Sequence, residues 1–263
     1  MSVLVNIVVC VKQVPDTEVE RKLTAGDGTL DRVSVDGVIN YIDEFAIEAG
    51  LRLAEAHGGE VTIVTMGPAG ASESVRKALS MGAGKAVHVV DGGLAGSDAL
   101  ATSLVLAAVL EEVGFDLAVL GSESTDARTG VVPAMLAERL GVPQLTLASE
   151  VGVAGPEVTV RRVSGDGYAV VTGRLPAVVS VVEKANEPRY PTFRGIMAAK
   201  KKPVRTLTLA GLGVDAGDVG LAGAATRVED FAARPPRAAG VIVKDGGDGG
   251  MQAAGFLAGR KFI

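Results

Sequence analysis

Short apolar, β-rich runs alternate with longer amphipathic segments through the first half of this chain, and that alternation restricts the fold more than any other feature. Asn6–Val11 (NIVVCV) has the unbroken apolar character of a strand covered on both faces. Strand patterns at Val61–Thr65, Val87–Val90 and Leu117–Leu120 alternate with helical ones at Asp43–Ala56, Ala71–Met81, Asp98–Val113 and Val131–Leu140. Gly58-Gly59 and Gly141 with Pro143 close two of the helices. Such an order specifies right-handed βαβ crossovers, hence an α/β fold with a doubly wound, mostly parallel sheet.

After Gln144 the pattern changes. Glu157–Val163 and Tyr168–Arg174, joined by Ser164-Gly165-Asp166-Gly167, alternate as an antiparallel hairpin that should cover a sheet edge. Ala177–Val182 supplies another buried strand. Beyond Thr208 the chain is rich in Gly, Ala and Asp, and Arg234-Pro235-Pro236-Arg237 breaks any periodicity, leaving a terminal helical turn or two over Met251–Leu257. The expected division is an α/β domain at 1–210 and an extended arm at 211–263, either disordered or wrapped on another subunit.

The totals exclude several functions. With 26 basic against 31 acidic residues the net charge is -5, which opposes a nucleic-acid footprint. Cys10 is the only cysteine, so no internal disulfide can form and a reducing compartment is expected. His57 and His88 are too few for a histidine-rich metal site. The N-terminal apolar run has no preceding basic residue and Val9 before Cys10, which argues against a signal segment, and no later run is long enough to insert in a membrane. A cytoplasmic protein is the expectation.

In an open parallel sheet, ligands bind at the carboxyl ends of the strands. The loop after Leu120, Gly121-Ser-Glu-Ser-Thr-Asp-Ala-Arg-Thr129-Gly130, runs directly into the Val131 helix, so its backbone amides and the helix N-terminus suit a phosphate. A solvated loop with Thr129 as a simple N-cap is the plainer alternative. Met66-Gly67-Pro68-Ala69-Gly70 and Cys10 would be neighbours. Enzymatic signatures are missing: Gly84-Lys85 is followed by Ala86 rather than Ser or Thr, no GxGxxG follows the first strand, and there is no GxSxG elbow. Asp43 and Glu44 at a helix start read as dipole-matching residues before they read as an acid and base.

A second surface lies in Asn186–Lys202 (NEPRYPTFRGIMAAKKK), which suits neither a buried strand nor an amphipathic helix. Pro188 and Pro191 impose extended chain. Tyr190, Phe193, Ile196 and Met197 then stand beside Lys200, Lys201 and Lys202, the combination of apolar anchors and steering charges that protein docking uses. From Glu183 to Arg205 seven basic residues outnumber two acidic ones, so an acidic partner surface is indicated. An ordinary connection folded back on the core is the alternative.

The motifs VKQVPDT (Val11–Thr17), MGPAG, ALSMGAGKAVHV (Ala78–Val89), STDARTG and LPAVVSVVEKANEPRYPTFRGIMAAKKK (Leu175–Lys202) together resemble the beta subunit of the electron transfer flavoprotein, the FixA type. That resemblance implies an adenine nucleotide alpha hydrolase-like, Rossmann-like fold and a heterodimer with an alpha subunit that holds most of the FAD. It implies a structural AMP on this chain at Cys10, Asn40, Met66, Gly121, Ser124, Thr125, Asp126, Arg128 and Thr129, with Gly130, Val131 and Val132 at the phosphate and Asp126 and Thr129 as the chief side chains. Asp16, Thr17 and Ile42 stand where the family often places aromatics near the flavin. The resemblance further implies a non-catalytic subunit whose Phe193 replaces a leucine anchor in docking acyl-CoA dehydrogenases, in fatty acid β-oxidation, with delivery to the electron transfer flavoprotein-quinone oxidoreductase. An electron-bifurcating member with a second FAD in the AMP position is the alternative within the family, and a nucleotide-hydrolysing or adenylating enzyme the alternative outside it.

Overall fold

The structure, a computed structural model, describes residues 5–233, 235–237, 239–240 and 242–263; Arg234 of the Arg-Pro-Pro-Arg break and the first four residues of the N-terminal run lie outside the described residues. Two compact units divide between Glu229 and Asp230.

In the first unit the apolar runs form the expected parallel strands: β1 (Asn6–Cys10), then, after a short two-stranded ribbon of β2 (Gln13–Pro15) and β3 (Gly37–Ile39), β4 (Glu60–Met66), β5 (Lys85–Val89) and β6 (Leu117–Gly121). Later come β7 (Gln144–Ala154), β8 (Glu157–Ser164), β9 (Gly167–Arg174), β10 (Ala177–Val181) and β11 (Val204–Leu207). Nine strands join in the order β11-β5-β4-β1-β6-β10-β7-β8-β9 among the described residues. The first seven in that order are parallel neighbours, and β8 and β9 add to β7 in antiparallel register, so the hairpin extends the sheet edge.

Helices cover both faces. On one side α1 (Tyr41–His57) and α2 (Ser72–Met81) pack Phe45, Ile47, Val75 and Leu79 against Ile7, Val9 and Ile63. On the other, α3 (Ala99–Val113) and α4 (Val132–Leu140) pack Val105, Leu110 and Leu136 against Val8, Val64 and Ala118. Because alternate residues of β1 serve opposite cores, the strand has no polar face, which is why its sequence runs apolar without a break. Asp98 caps α3 by accepting from Ala101 N–H at 2.9 Å, and left-handed Gly58 and Gly141 end α1 and α4.

Several elements depart from the sequence expectation. β7 was hidden because its buried and exposed positions do not alternate cleanly over QLTLASEVGVA, and β11 because three of its four residues are exposed. Phe193–Ala199 is a short helix, α5, started by Thr192, whose Oγ1 accepts from Gly195 N–H at 3.0 Å. The chain after residue 210 stays within the first unit as far as Glu229: Leu212 and Val214 pack against the second core, Val219 is buried, and Gly220–Gly223 forms the short helix α6. In the second unit, α7 (Gly249–Gly259) carries Met251, Phe256 and Leu257 exposed.

Candidate functional site

Chain order along the sheet defines where a ligand can sit. After β1 the chain builds β4 and β5 on one side and then crosses to place β6 on the other, so the loops leaving β1 and β6 diverge over a switch-point crevice. Cys10, Gly121 and Met66 end the three strands that border it.

A buried polar knot holds these loops together. Asn40, the residue before α1, donates from Nδ2 to Asp43 Oδ1 at 2.9 Å and to the Glu123 carbonyl at 3.0 Å, while its Oδ1 accepts from Thr125 N–H at 3.0 Å. Asp43 Oδ2 accepts from Lys12 N–H at 2.8 Å. A Cβ at Gly121 would run into Asp43 Oδ1, so the glycine is required for the close approach of β6 to α1. Burial raises the Asp43 pKa from 3.8 to about 7 against the opposing pull of the Asn40 and Lys12 hydrogen bonds. Burial, then the nearby Asp43 charge, pushes the Cys10 thiol up to about 12, so it is inert packing rather than a nucleophile. Glu44 instead pairs with Lys77 on the surface.

Around this knot lies an ion-pair cluster. Asp126, its side chain fully buried, accepts from Lys12 Nζ at 2.9 Å and from Arg32 Nη2 at 2.6 Å; Lys12 Nζ also reaches Ser124 Oγ at 3.2 Å. Desolvation works to raise the Asp126 pKa, but the Lys12 charge and the Ser124 and Lys12 hydrogen bonds outweigh it and hold the carboxyl well below the usual range. Its carboxylate is therefore committed to two cations of this chain. Beyond it Arg128 (φ 51) and Gly130 (φ 64) both take the left-handed conformation, and Thr129, Gly130 and Val131 are exposed. Thr129 is not the N-cap: Val131 occupies that position, and among the described residues no side chain caps α4. Among the described residues the Thr125 hydroxyl oxygen is buried without a hydrogen-bond partner.

Thus the structure places Cys10, Asn40, Met66 and Gly121 through Val132 at the carboxyl ends of β1, β4 and β6. Lys12 and Arg32 escaped the sequence reading. Lys12 lies two residues past the end of β1, which is a usable signal; Arg32 lies in the 16–36 excursion and no local pattern marks it.

The second surface is also displayed. Tyr190 is 93% exposed and Phe193 80%, with Ile196 and Met197 about half exposed. Lys200 and Lys201 are exposed, but Lys202 is half-buried and donates from Nζ to the Leu79 carbonyl at 2.8 Å, so it tethers the segment to α2 rather than standing free.

These features define a doubly wound α/β protein with a switch-point crevice and a projecting apolar segment. Residues 27–212 match the electron transfer flavoprotein domain. The chain is 49% identical to the electron transfer flavoprotein subunit beta of Mycobacterium leprae over 99% of its own length and 100% of that protein. It is 36% identical to the subunit beta of Megasphaera elsdenii over 91% of both chains, and 39% identical to the protein FixA of Azorhizobium caulinodans over 89% of this chain and 86% of that one. The chain belongs to the electron transfer flavoprotein beta subunit (FixA) family. Membership implies electron transport with an alpha-subunit partner and a flavin. Among the described residues no helix is long and apolar enough to cross a membrane.

Proposed function

We propose that this chain is the non-catalytic beta subunit of a cytoplasmic heterodimeric carrier, binding AMP in its switch-point crevice and supporting FAD held mostly by the alpha subunit. One observation carries the reading: among the described residues the loop leaving β6 holds a buried Thr125 hydroxyl without a partner and ends on an α4 whose N-terminus no side chain caps. Uncapped N–H groups and a positive dipole end suit a phosphate, and an orphaned buried hydroxyl suits a polar ligand atom. Val131 and Val132 would meet the phosphate with Gly130, and Thr125 and Thr129 would supply side-chain oxygens. Asp126 contributes by holding Lys12 and Arg32 at the crevice rim. The flavin, when bound, supplies the redox chemistry; the residues of this chain bind and orient.

The exposed Tyr190, Phe193, Ile196 and Met197 favour docking of acyl-CoA dehydrogenases, with Lys200 and Lys201 steering the encounter before electrons pass to the quinone oxidoreductase. From residue 230 onward the chain, with α7 exposing Met251, Phe256 and Leu257, suits an arm on the alpha subunit.

Denaturing the purified heterodimer and quantifying the released nucleotides tests the reading. Equal amounts of FAD and AMP are expected. Two FAD and no AMP would replace it with the bifurcating arrangement, and ATP turnover by the pure protein would replace it with an enzyme.

A further inference from the structure

The displayed segment is fastened at both ends, and the first fastening is built around one residue. Arg189 donates from Nε and Nη2 to the two oxygens of Glu48 at 2.7 and 3.1 Å, and from Nη1 and Nη2 to the two oxygens of Glu55 at 2.5 and 3.1 Å. Its backbone N–H adds a bond to Glu48 Oε2 at 3.2 Å. Glu48 is buried at 3% exposure and sits on α1, where Arg52 holds its other side at 2.7 Å. Asn186 donates to the Phe45 carbonyl at 2.9 Å and Arg52 to the Glu187 carbonyl at 3.2 Å, so the whole root of the segment is stitched to one helix. At the far root Lys202 holds the Leu79 carbonyl. Between them a Cβ at Gly195 would come within 2.6 Å of the Ser80 carbonyl, which keeps α5 tight on α2.

A buried glutamate is costly unless paired, and a forked guanidinium is the group that satisfies two carboxylates in one fixed plane. Nothing in the crevice uses this cluster. Tyr190, the most exposed aromatic of the segment, follows Arg189 directly, and Phe193 lies three residues further on. We infer that Arg189 is a positioning residue for docking, fixing the root of the segment on α1 so that Tyr190 and Phe193 are presented in their bound arrangement before a partner arrives. The inference rests on the docking reading above. Its physical basis is pre-organisation: chain already ordered in the free protein loses less entropy on binding. Arg189 therefore belongs with the anchors in function, though its charge is neutralised and does not steer.

The test uses the intact heterodimer with a reduced acyl-CoA dehydrogenase as electron donor. Arg189→Ala is expected to raise the KM for the heterodimer about tenfold with kcat within about twofold, the pattern of lost binding rather than lost chemistry. Hydrogen exchange of the 190–198 amides should quicken in the same variant while that of β1 and β6 stays unchanged. Arg189→Lys, which keeps the charge but loses the fork, should recover only part of the KM. Since Arg189→Ala strands Glu48, the double variant Arg189→Ala with Glu48→Gln is measured alongside it and should show the same KM. In a Phe193→Ala background Arg189→Ala should add less than about twofold, because its effect runs through that anchor. Normal KM in Arg189→Ala with a raised KM in Phe193→Ala overturns the positioning role and leaves docking standing. Full recovery by lysine, or unchanged exchange, also overturns it. Normal KM in Phe193→Ala defeats the docking reading and the inference with it.

Discussion

Asn40 Nδ2 lies 2.9 Å from Asp43 Oδ1, and this hydrogen-bonded pair ties the N-terminus of α1 to the loops that leave β1 and β6. Both residues are buried, and each turns its remaining groups on main chain: Asn40 on Glu123 and Thr125, Asp43 on Lys12. The loops at the switch point are thus held by side chains engaged with one another and with main chain.

Asp43→Asn should destabilise the protein although it only removes a charge. Both carboxylate oxygens of Asp43 accept hydrogen bonds, from Asn40 and from the Lys12 N–H, and an amide would turn an NH2 group toward one of these donors. A buried donor left unmatched costs about 1–3 kcal/mol. The urea midpoint measures it, and an unchanged midpoint would refute the knot.

The same carboxyl should leave a pH signature. Its folded pKa is raised from 3.8 to about 7, so its stabilising contribution is complete below the unfolded value and is lost as pH rises through the folded one. The stability of the natural chain minus that of Asp43→Ala should therefore fall between about pH 4 and about pH 7 and level off above. Urea titrations across that range check the sign; a difference that rises with pH contradicts it.

Asp126 should behave in the opposite sense. Its pKa is held low, so its contribution is present above the unfolded value and disappears as pH falls below about 4. Asp126→Asn leaves Lys12 and Arg32 without their shared acceptor and should cost about 2 kcal/mol at neutral pH, discounted because both cations are partly exposed. Denaturation at pH 7 and pH 3 compares the two, with a smaller loss expected at the lower pH.

Thr125→Val separates ligand binding from folding. The hydroxyl has no partner among the described residues, so its removal should leave stability within about 0.5 kcal/mol or raise it. Nucleotide retained through purification should fall. Full retention would take Thr125 out of the site.

Phe193→Ala should be silent in folding and costly in docking. At 80% exposure the ring buries little within its own chain, so the urea midpoint should not move. An interface anchor of this kind carries about 2 kcal/mol, near a thirtyfold rise in KM for electron acceptance from an acyl-CoA dehydrogenase.

Much of the fold was legible in the strands themselves. β1, β4, β6 and β10 are buried on both faces, and a strand covered on both faces reads as a near-continuous apolar run, broken internally here only by small hydroxyl residues such as Thr62 and Ser180. β7 and β11 were not legible, since their pairing with β10 and β5 is supplied by residues distant in the chain and their own side chains are half exposed. The crevice loop from Gly121 to Gly130 stood out by its small and hydroxyl residues, whereas the partners of Asp126 did not, because Arg32 reaches it across 94 positions.

Sequence alone determined the alternation of elements, the absence of any cysteine or histidine cluster, and the presence of a Pro-bounded apolar and basic segment, all of which are local properties of composition and spacing. Tertiary structure decided which charges are free. Arg189 and Lys202 read in sequence as two members of one basic run, yet the first is forked onto Glu48 and Glu55 and the second is tethered to Leu79, while Lys200 and Lys201 stay in solvent. Charge is written in the residue, but whether it steers, anchors or is cancelled depends on what the fold carries within about 3 Å of it.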